Sequence, residues 1–293
     1  MNFDFHSTAE EVTAGIDLSG QIWLVTGSNS GLGYETIRVL ALRGAKIIAA
    51  ARTEEKAQGA LDELGIDGIA LACELSDLNS VNAAVQSVLS LGVSLHGIIA
   101  NAGIMALPSL QQKDGIELQF YTNHVGHFAL ITQLCDCLTN DGRVVVLSSG
   151  AHFYAAELGL ELDNLSGERD YDDWRMYGRS KLANIMFASA LNKKFEGTKR
   201  TANSVHPGVI RTNLSRHVEN ADEMFESIKK RVRLKSVAQG AATQCLVATH
   251  PELSSIGGKY FSDCRIAKTA KVALDTEQEQ QLWSRTEEII ARV

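Results

Sequence analysis

Proline is nearly absent from this chain. Three prolines occur among 293 residues, and no Pro/Ser-rich linker, low-complexity run or internal repeat marks a domain boundary. One domain over residues 1–293 is expected, because length alone does not force a split. Cysteine is scarce too, with five residues at unrelated spacings. That excludes a disulfide framework, and Cys135-x-Cys137 fits neither a zinc nor a redox motif. No apolar run approaches the ~18 residues of a membrane span. Met1 to Phe5 carry neither basic side chains nor an apolar stretch, so no signal peptide is expected and the chain reads as cytoplasmic. A basic block is missing as well. With a net charge of −7, neither nucleic acid nor anionic membrane is an expected partner. The densest basic stretch, Lys229 to Arg233, reads as the solvated face of a helix.

Apolar residues are plentiful, at 45% of the chain, and their pattern is informative. Short Val/Ile/Ala-rich runs stand at Gln21–Thr26, Lys46–Ala50, Ile69–Cys73, Gly97–Ala100, Arg143–Ser148, Thr201–His206 and Gly258–Phe261, with helical stretches between them. This alternation predicts an α/β fold: a doubly wound parallel sheet of about seven strands with helices on both faces. Ser7 to Glu10 has the spacing of a capping box that opens a short leading helix, within an N-terminal extension over residues 1–18.

The first strand runs directly into Gly27-Ser28-Asn29-Ser30-Gly31-Leu32-Gly33, and Tyr34 to Arg43 continues with apolar residues at helical spacing. A strand passing through glycines into a helix start is an anion site, because free backbone N–H groups and the helix dipole point at a pyrophosphate. The spacing is Gly-x-x-x-Gly-x-Gly, not the Gly-x-Gly-x-x-Gly of the usual dinucleotide fingerprint. The second strand ends in Ala49-Ala50-Ala51-Arg52-Thr53, with Ala51 where an acid would accept bonds from a ribose 2′-hydroxyl. Arg52 can instead grip a 2′-phosphate by charge-assisted hydrogen bonds, against the plainer reading of a surface arginine. Glu54 and Glu55 suit the start of the next helix. NADP(H) is the expected cofactor.

One of six tyrosines, Tyr177, stands four residues before a lysine, Lys181. On a helix this spacing puts phenol and ammonium on one face. A phenol exchanges protons poorly at neutral pH because its pKa is about 10. The neighbouring charge is expected to draw it toward about 7, roughly 4 kcal/mol of preferential phenolate stabilisation.

Thr26-Gly27-x-x-x-Gly31-x-Gly33, Asn101-Ala102-Gly103, Ser149, Tyr177-x-x-x-Lys181 and Pro207-Gly208 together resemble the short-chain dehydrogenase/reductase family. More narrowly, Asn123 to Phe128, Ser180 to Asn184, His206 to Asn213 and Gly258 to Phe261 resemble its retinol-dehydrogenase-like branch. The ordered set covers nearly the whole chain. It implies a single-domain Rossmann fold and hydride transfer between a nicotinamide and a small-molecule carbonyl or alcohol. It implies Tyr177 as acid and base, with Lys181 supporting it and holding the nicotinamide ribose. Ser149 would hydrogen-bond the substrate oxygen, with Ser148 on the strand's other face. Asn123, in the helix before that strand, would order a relay water; the plainer reading is a local helix hydrogen bond.

Around the cofactor, Glu74 takes the place of the family's adenine-contacting aspartate, with Leu75 beside it. Asn101-Ala102-Gly103 would let backbone approach the ribose, while Pro207, Gly208, Ile210 and Thr212 would hold the carboxamide. Residues 213–235 are the expected lid, where Met224 and Phe225 either close over substrate or form the core stripe of a lid helix. The resemblance leaves room for a homodimer or homotetramer.

His124 and His127 read as packing residues, and no metal is assigned. From Gly150 to Met176 the start is expected to line the pocket, with His152 as its nearest histidine, and the acidic remainder to be a solvated excursion. Met105, Leu107, Phe153 and Tyr154 are the apolar pocket candidates, which points to a hydrophobic or aromatic substrate. Two other readings stay open. One is carbon–carbon double-bond reduction, as in the similar light-dependent protochlorophyllide reductases; the other is a non-catalytic NADP-binding sensor.

Overall fold

The computed structural model describes residues 2–218, 220–229 and 232–292. Glu219 of the expected lid, and Lys230 and Arg231 of the basic stretch, lie outside the described residues. Lys229 and Arg233 are exposed.

The main sheet has eight strands: β1 (Ile22–Thr26), β2 (Lys46–Ala51), β3 (Ile69–Ala72), β4 (Leu95–Ala100), β5 (Leu138–Leu147), β6 (Thr201–His206), β7 (Tyr260–Ser262) and β8 (Arg265–Ile266). Their order is β8-β7-β6-β5-β4-β1-β2-β3. All neighbours pair in parallel except β7 and β8. The count agrees with the expected sheet of about seven strands, with one short strand added at the edge. After β7 the chain turns through Asp263 and Cys264, both at positive φ, and returns as a two-residue edge too short to show periodicity. β5 also begins earlier than expected. Leu138 pairs with Leu95 before the register resumes at Arg143 and Gly97, and the polar residues between them bulge out.

Side chains alternate across the strands, and both faces are covered. Leu24, Ile48, Ile98 and Val144 point into a layer built by α4 (Leu78–Ser90), α5 (Gly126–Leu134) and α6 (Asp173–Lys194). Trp23, Val25, Ile47, Ile99 and Val145 point the other way, against α2 (Gly31–Leu42), α3 (Glu54–Leu64) and α8 (Val237–Thr249). Burial on both faces is why these strands read as near-continuous apolar runs. The final helix α9 (Thr276–Ile290) lies outside the first layer, its Trp283 ring 4.7 Å from Phe128 and 5.9 Å from Phe187. Among the described residues, no helix is long and apolar enough to cross a membrane.

The leading helix α1 (Ala9–Val12) is opened by Thr8 and Glu11, one residue later than the expected Ser7 and Glu10. The Ser7 hydroxyl is occupied elsewhere, accepting the Asp4 N–H at 3.0 Å. The stretch after Ser149 is less solvated than expected. Leu160 and Leu165 are buried, the Arg179 guanidinium donates to the Asn164 carbonyl at 2.7 Å, and the Tyr171 hydroxyl donates to the Leu107 carbonyl at 2.7 Å. Order along the sheet runs one way from β1 to β3 and the other way from β4 to β6. That reversal leaves a crevice beyond the carboxyl ends of β1 and β4, where open α/β sheets take their ligands.

Candidate active site

A cleft of about 560 Å³ opens over those strand ends, and it is lined from the glycine turn to Tyr177 and Lys181. At the turn, Gly27 has φ +66°, and a Cβ there would stand 2.9 Å from the Ala102 backbone. A Cβ on Gly33 would meet the Gly27 carbonyl oxygen at 2.2 Å. Only glycine lets the first turn of α2 sit this close to the end of β1. Ser30 caps α2 without a side-chain hydrogen bond, and the first turn holds no acid, so the helix N-terminus is open toward the cleft. Asn29, Ser30, Gly31 and Leu32 line it. Ser28 does not: it is fully buried, and its hydroxyl donates to the Ala50 carbonyl at 3.1 Å, bracing the turn on β2. Gly33, Gly208 and Ile210 likewise stand behind the wall, with Ile210 packed near Gly240 and Lys235 packed near Gly208.

Thr26 ties β1 to β4. Its hydroxyl oxygen accepts the N–H groups of Asn101 and Ala102, both at 3.0 Å, so its proton goes to His127 Nε2 at 2.8 Å. His127 then carries its proton on Nδ1 and donates it to the Asn123 carbonyl at 3.0 Å. Burial pushes this imidazole down to about 4, and the Lys181 charge acts in the same direction. His127 is thus a neutral link between strand end and helix, and no metal-ligating cluster forms among the described residues.

Asn123 lies on a π-helical turn, Tyr121–Val125, just before α5. Its Oδ1 accepts the Ile104 N–H at 2.8 Å; its Nδ2 donates to the Ile104 carbonyl and to the Ser180 hydroxyl, both at 2.9 Å. The side chain therefore staples the loop after β4 to the helical layer.

α6 starts at the Asp172 cap, whose carboxylate accepts the Arg175 N–H at 2.7 Å. Tyr177 and Lys181 follow on one face and meet the end of β5. Tyr177 is 4% exposed, and the Ser149 side chain stands near enough to favour its phenolate. The Lys181 ammonium donates to the Leu147 carbonyl at 3.1 Å and lies 5.6 Å from the Tyr177 ring centre. Asn184 donates to that same carbonyl at 2.9 Å. Ser148 turns its hydroxyl to the Lys181 carbonyl at 2.7 Å, and Ser149 stays half-buried beside Tyr177. The expected drop of the phenol toward neutrality is absent. Burial pushes Tyr177 up to about 12, opposed by the Ser149 side chain, and burial pushes Lys181 down to about 8. Desolvation is the largest cause of both shifts.

Of the apolar candidates for the pocket, Leu107 lines the cleft, joined by Ile104, Leu118 and Leu214, which sequence alone did not indicate. Phe153 and Tyr154 are 53% and 63% exposed. His152 is fully buried, with both ring nitrogens hydrogen-bonded to main chain, so it packs behind the site and does not face it. Phe225 is buried on α7 (Ala221–Lys229) beneath the Arg211 guanidinium, 5.2 Å from its ring centre, which makes it a packing residue.

At the far end, Arg52 and Ala51 line the cleft together with Glu74 and Leu75. Glu74 accepts from the Ser76 hydroxyl at 2.8 Å. Arg216, from the 3₁₀ turn Asn213–His217, reaches this same end. Burial lowers its pKa, as does the Arg52 charge beside it, while Glu74 opposes them. Sequence reading missed Arg216, because nothing local shows that the segment after Thr212 folds back to the end of β2. Asn101, Ala102, Gly103, Pro207 and Thr212 line the middle of the cleft.

The short chain dehydrogenase family model matches residues 21–160. Short-chain dehydrogenase TIC 32 B, chloroplastic, of Brassica napus is 40% identical, over 94% of this chain and 91% of its own length. Retinol dehydrogenase 14 of Homo sapiens is 34% identical, over 93% of this chain and 87% of its own. A crystal structure of an uncharacterized protein from Mycobacterium paratuberculosis covers 98% of both chains with TM-score 0.78 and 28% identity. With its strand order, glycine turn and ordered motifs, the chain belongs to the short-chain dehydrogenase/reductase family of oxidoreductases, in the retinol-dehydrogenase-like branch.

Proposed function

We propose that this protein interconverts a carbonyl and an alcohol on a hydrophobic or aromatic small molecule, using NADP(H), with Tyr177 as acid and base. The observation that carries the reading is the Tyr177 hydroxyl. It is buried, adjoins Ser149, and stands beside Lys181 at one end of a cleft that has two arginines at the other. The glycine cradle and the uncapped start of α2 fit a pyrophosphate; Arg52 and Arg216 fit a 2′-phosphate, and Asn101 to Gly103, Pro207 and Thr212 would flank the ribose and nicotinamide. When bound, the nicotinamide supplies the hydride for a carbonyl carbon, and negative charge grows on the oxygen. Ser149 hydrogen-bonds that oxygen. Tyr177 releases its proton to it, and the Lys181 ammonium stabilises the phenolate left behind. The apolar wall of Ile104, Leu107, Leu118 and Leu214 favours an apolar substrate.

The test is NADPH consumption across a panel of hydrophobic and aromatic ketones and aldehydes, followed by fluorescence. Binding of NADPH with no consumption across the panel would support the non-catalytic sensor instead.

A pH profile checks the role of the lysine. Lys181 loses its ammonium as pH rises through about 8, whereas Tyr177 keeps its proton to about 12. The kcat/KM for carbonyl reduction should therefore be level near neutrality and fall through about pH 8. Lys181→Met should be slower throughout and lack that limb. A wild-type profile that declines only near the ordinary lysine value of about 10.4 would contradict the assignment.

A further inference from the structure

The peptide unit joining Ser149 to Gly150 is held from both sides by imidazoles. Its carbonyl, on Ser149, meets His152 Nδ1 at 2.6 Å, and its N–H, on Gly150, donates to His206 Nδ1 at 3.0 Å. His152 Nε2 accepts the Ala270 N–H at 3.1 Å, so this ring carries its proton on Nδ1 and donates it to Ser149. His206 does the reverse and keeps Nδ1 bare. Burial lowers both rings, His206 to about 4, and so keeps them neutral. Two neutral rings in opposite tautomers thus grip one peptide plane.

That plane is rigid, so holding it sets ψ of Ser149 and φ of Gly150 together. The Ser149 hydroxyl oxygen also accepts the Ala151 N–H at 3.1 Å. This selects its rotamer and leaves its proton and one lone pair for Tyr177 and a substrate oxygen. His206 ends β6 immediately before Pro207, and Ala270 immediately precedes the 3₁₀ turn Lys271–Leu274. The serine is therefore tied to the start of the carboxamide segment and to the C-terminal part of the chain.

We propose that His206 and His152 are positioning residues for Ser149, setting the orientation of its peptide plane and so the placement of its hydroxyl against Tyr177. The proposal rests on the reading that Ser149 hydrogen-bonds the reacting oxygen.

Two side chains of similar size at position 206 test it. His206→Asn keeps an acceptor near the place of Nδ1, and His206→Leu removes it. Exchange of the Gly150 amide hydrogen, followed by NMR, should accelerate about tenfold or more in His206→Leu and stay near wild type in His206→Asn. For carbonyl reduction, His206→Leu should lose about 10²-fold in kcat with the NADPH Kd within about threefold, and His206→Asn should recover most of that loss. Unchanged Gly150 exchange, or unchanged kcat, in His206→Leu overturns the clamp. Ser149→Ala separates the two levels: if activity survives it, the serine's role is wrong, whereas its inactivity beside a fully active His206→Leu sinks the clamp alone. Should His206→Leu not fold, His206→Gln replaces it with the same readouts, because its carboxamide overshoots the Gly150 amide by one carbon.

Discussion

Tyr177→Phe is expected to lower carbonyl-reducing turnover by about 10²–10⁴ while NADPH still binds. The ring is buried and packs edge-on against Trp174, with centroids 6.2 Å apart, so Phe keeps the packing and removes only the hydroxyl. The hydroxyl beside it, on Ser149, is a far weaker acid, and the Lys181 ammonium is engaged by the Leu147 carbonyl. Single-turnover kinetics with a fluorescence titration of NADPH separate chemistry from binding. A variant that keeps more than about a tenth of wild-type turnover would place the acid elsewhere.

Arg52→Ala is expected to weaken NADPH binding by about 1.5–3 kcal/mol, roughly ten- to a hundred-fold, and to leave NADH almost unaffected. No described residue pairs with the Arg52 guanidinium, while Arg216 sets a second positive charge beside it. Arg216→Ala should shift the preference in the same direction, since one phosphate can be held by both. Ala51 is 3% exposed and lines the cleft at the end of β2. Adding Ala51→Asp to Arg52→Ala should then favour NADH, by supplying a ribose acceptor and repelling the phosphate. The measurement is kcat/KM with each cofactor for wild type, both single variants and the double. A wild type that already prefers NADH would refute the assignment of both arginines.

Features that depend on neighbours along the chain are legible in the residues alone. Period-two burial on both faces made the strands legible as apolar runs, and the glycine spacing marked the turn, because the φ of Gly27 and the crowding at Gly33 exclude other side chains. The four-residue step from Tyr177 to Lys181 put both on one helix face, a consequence of helical geometry alone. What the tertiary structure decided involves segments far apart in the chain. Arg216 folds back to Arg52, and His206 reaches the peptide after Ser149; packing also turns Phe153 and Tyr154 outward although they stand shortly after that serine. The phenol of Tyr177 shows the division most clearly. The spacing to Lys181 predicts a lowered pKa, but burial, which is set by packing from every surrounding element, drives it upward. Charge spacing is written locally; desolvation is a property of the assembled fold.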